Sequence, residues 1–417
     1  MDVAVIGSGI SGLSMGQLLK PHAIVTLYET KSKSGGLIKC DRVNDCLFHK
    51  VGGHVFNSKN QEVLAWFWSF FDRDKEFVSV KRKAKIYFEQ QIIGYPIENY
   101  IYKLERPLVK KIIAELVELQ KQPAKSPFDY DNFEQFLKAS FGETLFDIYF
   151  GPYNKKIWQT DLSKVAMQWL EGKLPMPNYT DIIYSNFIRE ENDDMVHSTF
   201  FYPKNEGSQF IADRFSQGLN ILRDNAVNPI KIADGKLTIA NKNYDKLVYT
   251  GDIRSVPAEI RDLLISNGVD WGLVAALKSN GTSNLFCETD DTDISWLYIP
   301  QSFTKAHRII YTGNFSDTNN RGSNRKTCVV EFSGQVDYTV MVKEIEKLPG
   351  NLTPLASNYE PNSYVIQDKN TRGLISQIKI ILEQHNIYLL GRFAEWEYYN
   401  MDKAMEAAFA LKTKLVN

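Results

Sequence analysis

The first thirty residues alternate between apolar runs and a segment with helical spacing. Residues 3–6 are all apolar, which is typical of a buried parallel strand. Residues 13–20 have the pattern of a helix that ends at Pro21, and residues 24–28 form a second apolar run. This order predicts a β-α-β unit.

The pattern changes along the rest of the chain. Residues 61–71 and 107–150 have apolar positions three or four apart, which predicts helices. Residues 78–88 and 271–340 alternate in the manner of strands. An apolar run at 387–390 and an amphipathic helix from Lys403 to Val416 complete a mixed α/β pattern.

A glycine-rich turn joins the first predicted strand to the first predicted helix. Gly7 permits a tight turn, Gly9 lets the backbone approach a pyrophosphate, and Gly12 lets helix and strand pack closely. The N-terminus of that helix presents free N–H groups to phosphates. Glu29 ends the second strand, where a carboxylate binds both ribose hydroxyls and repels a 2′-phosphate. The unit therefore predicts FAD or NAD rather than NADP.

Two further glycine pairs favour FAD over NAD. Gly35 and Gly36 follow Glu29 closely, which is a feature of enzymes that bury FAD in an extended form. The triplet Gly52-Gly53-His54 fits a loop near the flavin ring. We therefore expect FAD, with NAD as the alternative.

The C-terminal segment is predicted to return to the cofactor. Gly391 and Arg392 follow the last apolar run, and Asn400 or Asp402 can cap the final helix. The N-terminus of this helix would direct a positive dipole at a ligand. A terminal strand–helix unit without a ligand is the alternative.

These patterns predict an α/β fold in which a discontinuous Rossmann-type FAD-binding domain carries an inserted helical domain and an inserted antiparallel β-sheet domain. The predicted division is 1–60 plus 200–250 plus 355–417 for the FAD-binding domain, 61–77 plus 101–175 for the helical insertion, and 78–100 plus 176–199 plus 251–354 for the β-sheet substrate domain.

Composition narrows the function classes. The 417 residues include 49 Lys and Arg against 50 Asp and Glu, so the net charge of −1 argues against nucleic acid as a partner. The four cysteines have no C-x-x-C spacing, so we expect no metal site. No apolar run approaches the length of a membrane span, and a cytoplasmic protein is the simplest interpretation. Aromatic residues reach 12%, which is high for a globular chain.

One cluster of cations has two interpretations. Lys81, Arg82, Lys83 and Lys85 lie close together within the strand predicted at 78–88. A solvated strand face is the first interpretation, and a basic rim for an anionic ligand is the alternative.

Several short sequence blocks follow one another along the chain in an order that matches a known family. They are Gly52-Gly53-His54-Val55, Tyr95-Pro96-Ile97-Glu98-Asn99, residues 151–158, Phe201-Tyr202-Pro203 with Gly207, residues 296–300 with Arg308, residues 391–398, and Asn400-Met401-Asp402. Their order and spacing together resemble those of the UDP-galactopyranose mutases. The chain looks closer to the eukaryotic-type branch of that family than to the short bacterial one.

The resemblance implies a FAD-dependent nucleotide-sugar mutase, an intramolecular transferase that interconverts the pyranose and furanose rings of a UDP-sugar. In that family, N5 of reduced FAD attacks the anomeric carbon, and ring opening and closure proceed on a flavin N5–sugar adduct without net redox change. NAD(P)H is a candidate reductant, and cell-surface glycan biosynthesis is the expected role.

The resemblance also implies site residues. Arg308 and Lys173 would hold the diphosphate, and His54 would lie beside flavin N5. Tyr95 and Trp158 would flank the uridine, Asn154 would bond to it, and the hydroxyls of two tyrosines would donate to the phosphates. The implied FAD-binding residues are Gly7, Gly9, Gly12, Glu29, Gly35, Gly36, Gly53, Gly391, Arg392, Asn400 and Met401. The implied substrate-binding residues are Tyr95, Glu98, Asn154, Trp158, His197, Tyr298 and Tyr398.

Three of these positions depart from the family pattern. Lys173 stands in place of an arginine, Glu98 in place of a glutamine and His197 in place of an asparagine. A lysine keeps the charge but loses the planar fork of an arginine. These departures leave the exact sugar and nucleotide open.

Two other functions share the predicted cofactor. One is an oxidase or dehydrogenase of the amine-oxidase or protoporphyrinogen-oxidase class, and the other is a flavoprotein without catalysis. Arg308 and the clustered tyrosines favour a diphosphate ligand over an apolar amine. A homo-oligomer is left open.

Overall fold

The computed structural model describes residues 1–123, 125–167, 177–189, 199–225, 230–233 and 236–416. The strands in these ranges are β1 (Asp2–Ile6), β2 (Ile24–Tyr28), β3 (Cys40–Val43), β4 (Cys46–His49), β5 (Phe77–Lys81), β6 (Ala84–Phe88), β7 (Gln91–Gly94), β8 (Thr199–Pro203), β9 (Asn220–Leu222), β10 (Ile230–Ala233), β11 (Lys236–Ile239), β12 (Lys242–Tyr244), β13 (Lys246–Tyr249), β14 (Lys278–Thr289), β15 (Trp296–Tyr298), β16 (Ala306–Ile310), β17 (Lys326–Ser333), β18 (Thr353–Ile366) and β19 (Ile387–Leu389).

The α-helices in the same ranges are α1 (Ile10–Leu19), α2 (Gln61–Trp68), α3 (Arg73–Glu76), α4 (Arg106–Gln120), α5 (Phe133–Phe141), α6 (Glu143–Leu145), α7 (Gly151–Trp158), α8 (Tyr179–Ile188), α9 (Gly207–Ser216), α10 (Ala258–Ser266), α11 (Trp271–Ala275), α12 (Tyr338–Ile345), α13 (Thr371–Glu383) and α14 (Met401–Val416). Short 3-10 segments join several of these elements, and one of them spans Ile97–Lys103.

A five-stranded parallel sheet forms the dinucleotide-binding layer. Its order is β19-β13-β1-β2-β9, and β1 lies in the middle with Ile6 opposite both Tyr28 and Tyr249. Helices α1, α2, α9 and α14 contribute to the apolar core on one face of the sheet, and α10, α11 and α13 contribute to that on the other. Because both faces are covered, the strands are mostly apolar, as at residues 3–6 and 247–249. The predicted Rossmann-type β-α-β unit is confirmed.

A seven-stranded sheet forms the second layer. Its order is β18-β14-β17-β16-β15-β6-β7, and all of its pairings are antiparallel except that of β15 with β6. The strand predicted over 78–88 is in fact two strands. β5 pairs with β8 in a separate two-stranded sheet. The extended conformation is interrupted at Arg82-Lys83, and β6 then joins the seven-stranded sheet.

A helical layer covers one face of the large sheet. Helices α4, α5, α7 and α8 share a core with β6 and β15, in which Leu116, Phe136, Ile86 and Tyr298 are buried. The helices predicted over 107–150 are therefore present, with breaks at the short segments between them.

The division into three domains stays a prediction, and two placements bear on its boundaries. β18 pairs along its length with β14 of the seven-stranded sheet, although the division begins the last FAD-binding segment at residue 355. Val63 and Phe67 of α2 pack in the core of the parallel sheet, although the division places residues 61–77 in the helical insertion.

Within the described ranges, no helix combines the length and the apolar character that crossing a bilayer requires.

Candidate functional site

The turn after β1 forms a cradle built from backbone. Gly7 has φ +101°, and its N–H donates to the Tyr28 carbonyl at 2.8 Å. A Cβ added at Gly12 would lie 2.0 Å from the Gly7 oxygen, so only glycine lets α1 approach the turn this closely. Gly9 caps α1 without a side-chain hydrogen bond, which leaves the first N–H groups of the helix for a ligand. This geometry fits a pyrophosphate.

The second glycine pair lies against this turn. The Gly35 N–H donates to the Ser8 carbonyl at 2.9 Å, and the Gly36 Cα lies 3.7 Å from the position of a Cβ at Gly9. Both Gly35 and Gly36 have positive φ. The two predicted cofactor segments therefore meet.

Glu29, the predicted ribose ligand, lies beside the cradle with both carboxylate oxygens hydrogen-bonded. One of its carboxylate oxygens accepts from the Ser8 N–H at 2.9 Å and the Ser8 hydroxyl at 2.7 Å. The other accepts from the Lys31 N–H at 2.9 Å. These donors hold the carboxylate in one orientation and leave further lone pairs for hydroxyl groups.

The C-terminal segment returns to the same turn. Gly391 has φ +100°, and a Cβ there would lie 2.6 Å from the Ser11 hydroxyl of α1. Arg392 donates to the Ser363 and Tyr399 carbonyls and lies 4.5 Å from the Tyr398 ring centroid. Of the other two predicted cofactor residues, Asn400 is exposed and Met401 is buried at the start of α14.

The Gly52-Gly53-His54 triplet, here called the glycine–histidine loop, lies against the seven-stranded sheet. A Cβ on Gly53 would lie 3.2 Å from the Trp296 indole of β15. Burial, together with the charge of Arg392, lowers the pKa of His54 to about 4, so its imidazole is neutral at physiological pH. Its Nε2 is buried and has no hydrogen-bond partner among the described residues, so it can bond to a ligand.

The cradle, Glu29, Gly391 and the unpartnered His54 nitrogen fit a dinucleotide that extends from the end of β1 to the glycine–histidine loop. These residues would hold FAD.

A wall of tyrosines extends from this loop. Tyr298 lies 4.9 Å from the Tyr95 ring and 5.6 Å from the Tyr153 ring, measured between centroids. Tyr153 stacks on Tyr149 at 5.9 Å, and Tyr364 stacks on Tyr398 at 5.8 Å. Segments far apart in sequence thus converge on one surface.

Arg82 lies in this wall rather than on a solvated strand face. Its guanidinium donates to the Tyr298 hydroxyl at 2.9 Å and lies 4.9 Å from the Trp296 ring centroid. The Arg82 Nε is buried and has no partner among the described residues. The first interpretation of Arg82 is wrong, because the break between β5 and β6 turns its side chain inward. Lys83 of the same cluster is at the surface and pairs with Asp293.

Arg308 is the second cation of the wall. Its Nη2 donates to the Tyr364 hydroxyl at 3.0 Å, and its Nε is hydrogen-bonded to the Glu331 carboxylate. Glu331 is fully buried in β17. Burial alone would raise the pKa of Glu331, but Arg308 and His307 hold it well below the usual range. The two arginines therefore differ, because Glu331 already neutralises Arg308.

The predicted base-binding residues flank the wall. The Trp158 ring lies 5.8 Å from that of Tyr364, and the Asn154 side chain bridges the Phe150 carbonyl and the Trp158 indole N–H. Glu98 is the second residue of the 3-10 segment Ile97–Lys103, and its backbone carbonyl accepts from the Asn186 side-chain amide at 2.7 Å. Burial raises the pKa of the Glu98 carboxyl to about 7.

Two predicted site residues, Lys173 and His197, lie outside the described residues. Besides Arg82, four described residues in the wall or in contact with it were not predicted as site residues. Tyr149 and Tyr364 lack a distinctive motif, whereas Tyr153 lies inside a block quoted above. Glu331 had a usable signal, since a lone carboxylate interrupts the apolar run Cys328–Phe332.

Comparisons with known proteins agree with this geometry. Residues 5–73 match the family described as NAD(P)-binding Rossmann-like domain. UDP-galactopyranose mutase of Mycoplasma genitalium is 26% identical over 97% of this chain and 92% of its own length. dTDP-fucopyranose mutase of Escherichia coli is 29% identical over 43% of this chain and 47% of its own. Neither relative tests whether the chain is closer to the eukaryotic-type branch, so that assignment stays a prediction.

The fold agrees with the sequence relatives. A crystal structure of reduced UDP-galactopyranose mutase superposes with a TM-score of 0.86 at 20% identity, over 99% of this chain and 95% of the other. The chain is therefore similar in sequence to a UDP-galactopyranose mutase over nearly its full length, and it shares the fold of such an enzyme.

Proposed function

We propose that the protein is a flavin-dependent mutase that interconverts the ring forms of a nucleotide-bound sugar. The observation that carries this proposal is the meeting of a dinucleotide cradle with a tyrosine wall that contains two arginines. The similar mutases are named for UDP-galactopyranose and dTDP-fucopyranose, so a nucleotide sugar is the proposed substrate class. Bound FAD in its reduced form supplies a nucleophile for the anomeric carbon of the sugar.

Arg82 and Arg308 are the proposed donors to the diphosphate. Cations aimed at the leaving group stabilise the charge that develops when its bond to the sugar breaks. Arg82 is the stronger candidate for direct contact with the diphosphate, because its Nε has no hydrogen-bond partner among the described residues. Its Nη2 donates to the Tyr298 hydroxyl, which holds the guanidinium in place. Burial raises the pKa of Tyr364, so this phenol stays protonated and can donate to a phosphate oxygen.

Tyr95, Trp158 and Glu98 are the proposed contacts to the base. The two rings offer flat apolar surfaces on which a pyrimidine can stack. A carboxyl with a pKa of about 7 is protonated in half of the molecules at neutral pH. The protonated carboxyl offers one O–H donor and one carbonyl acceptor. An imide edge, as in uracil or thymine, needs that pair.

We further propose that NAD(P)H reduces the flavin. The cytoplasmic location, the role in cell-surface glycan synthesis and the homo-oligomer stay predictions from the sequence.

A substrate panel tests the proposal. The purified flavoprotein is incubated with UDP-galactose and a dTDP-linked 6-deoxysugar, with and without dithionite, and the products are separated by chromatography. We expect a ring-isomerised product only with dithionite. If the substrates are instead oxidised and oxygen is consumed, the oxidase alternative is correct.

A further inference from the structure

Glu331 is the one buried acid that touches both the tyrosine wall and the glycine–histidine loop among the described residues. Its two oxygens have different partners. Oε2 accepts from Arg308 Nε, and Oε1 accepts from the Gly52 N–H at 2.8 Å. One rigid carboxylate therefore fixes the distance between a cation of the wall and the start of the loop.

His307 packs against the same carboxylate. Its Nε2 lies 3.5 Å from Glu331 Oε2, and both side chains are fully buried. Burial lowers the pKa of His307, so Arg308 is the cation that balances Glu331 at neutral pH. A buried carboxylate with one such partner is sensitive to any change in the charge of that partner.

The other end of the loop is held by a neutral group. The His54 N–H donates to His49 Nδ1 at 3.3 Å, and His49 Nε2 is hydrogen-bonded to the Tyr202 hydroxyl at 2.7 Å. Burial, followed by the proximity of His54, lowers the pKa of His49 to about 3. Of the two described side chains that accept from loop N–H groups, Glu331 is therefore the charged one and the one in contact with the wall.

We propose that Glu331 is a positioning residue that couples anion binding at Arg308 to the glycine–histidine loop. An anion that takes up hydrogen bonds from Arg308 weakens the hold of Arg308 on Oε2, and the carboxylate then shifts its interaction toward the Gly52 N–H. The identities of the anion, a nucleoside diphosphate, and of the group beside the loop, a flavin, rest on the proposed function. Coupling of this kind is reciprocal, so UDP binding and flavin reduction must affect each other equally.

The test measures the flavin midpoint potential with and without UDP, in the wild type and in Glu331→Gln. Glutamine keeps the volume and an acceptor for Gly52 but removes the charge. In the wild type we expect reduction to change UDP affinity about tenfold, which corresponds to about 30 mV for a two-electron couple. In the variant we expect less than a threefold change. Glu346→Gln, at an exposed carboxylate just after α12, is the control and should behave as the wild type.

A second measurement applies even if Glu331→Gln does not fold. Hydrogen exchange of residues 50–54 in the wild-type holoprotein should slow at least threefold when UDP binds. Unchanged exchange and an unchanged potential on UDP binding would overturn the coupling. Because neither readout requires turnover, a protein that shows coupling but no ring isomerisation would refute the proposed function alone.

Discussion

The cofactor cradle and the tyrosine wall are built in opposite ways. The cradle consists of backbone and glycines, mostly from residues 7–36, and each close approach is set by a missing Cβ. The wall consists of side chains from β15, β16, β18, α7 and the segment between β5 and β6. A backbone site depends on a few neighbouring positions, whereas a side-chain site depends on how distant elements pack.

This difference has a consequence for mutation. A change in the cradle disrupts the backbone and should abolish cofactor binding altogether. A change in the wall removes one contact among several and should weaken the ligand by a graded amount. Substitutions at Gly12, Arg82 and Glu98 test this contrast, in decreasing order of predicted effect.

The largest effect is expected in the cradle. Gly12→Val would place a Cβ 2.0 Å from the Gly7 oxygen, which is backbone and has no room to move. We expect the purified variant to lack FAD, as judged by flavin absorbance per protein. Gly373→Ala is the matched control, because nothing lies within 4 Å of its Cβ position in α13. A Gly12→Val protein with normal flavin content would show that the cradle is misassigned.

An intermediate effect is expected at Arg82. Arg82→Met keeps an unbranched apolar stem but removes a charged donor, and such hydrogen bonds contribute about 1.5–3 kcal/mol. We expect UDP affinity to fall about 10–100-fold in calorimetry, with flavin content unchanged. Lys85→Met, at a partly exposed position in β6, should leave UDP affinity within twofold. Equal effects of the two changes would restore the interpretation of this cluster as a solvated face.

The smallest effect is expected at Glu98 and depends on pH. Burial raises its pKa to about 7, so between about pH 4.5 and 7 the folded state binds more protons here than the unfolded state. This carboxyl therefore lowers the free energy of unfolding as pH rises through that window, by about 1–3 kcal/mol. Urea unfolding at pH 5 and pH 8 should show a smaller loss in Glu98→Gln than in the wild type. If the wild type and the variant lose the same free energy of unfolding between the two pH values, the Glu98 carboxyl lies in a solvated environment.

The same contrast explains what the sequence could predict. The β-α-β unit, the glycine pairs and the return of the C-terminal segment at Gly391 were predictable, because short-range spacing encodes backbone geometry. The inward turn of Arg82 was not, since it depends on the break that sends β5 and β6 into different sheets. The double contact of Glu331 was not either, because Arg308 and Gly52 lie 23 and 279 residues away from it.

The most direct test of the proposed function is anaerobic turnover with the flavin spectrum recorded throughout. The protein is reduced once with a stoichiometric amount of dithionite, a nucleotide sugar is added in large excess, and isomerised sugar is counted per flavin. We expect many turnovers while the spectrum stays that of reduced flavin. Reoxidation of the flavin in step with substrate, or product limited to one per flavin, would contradict a mutase without net redox change.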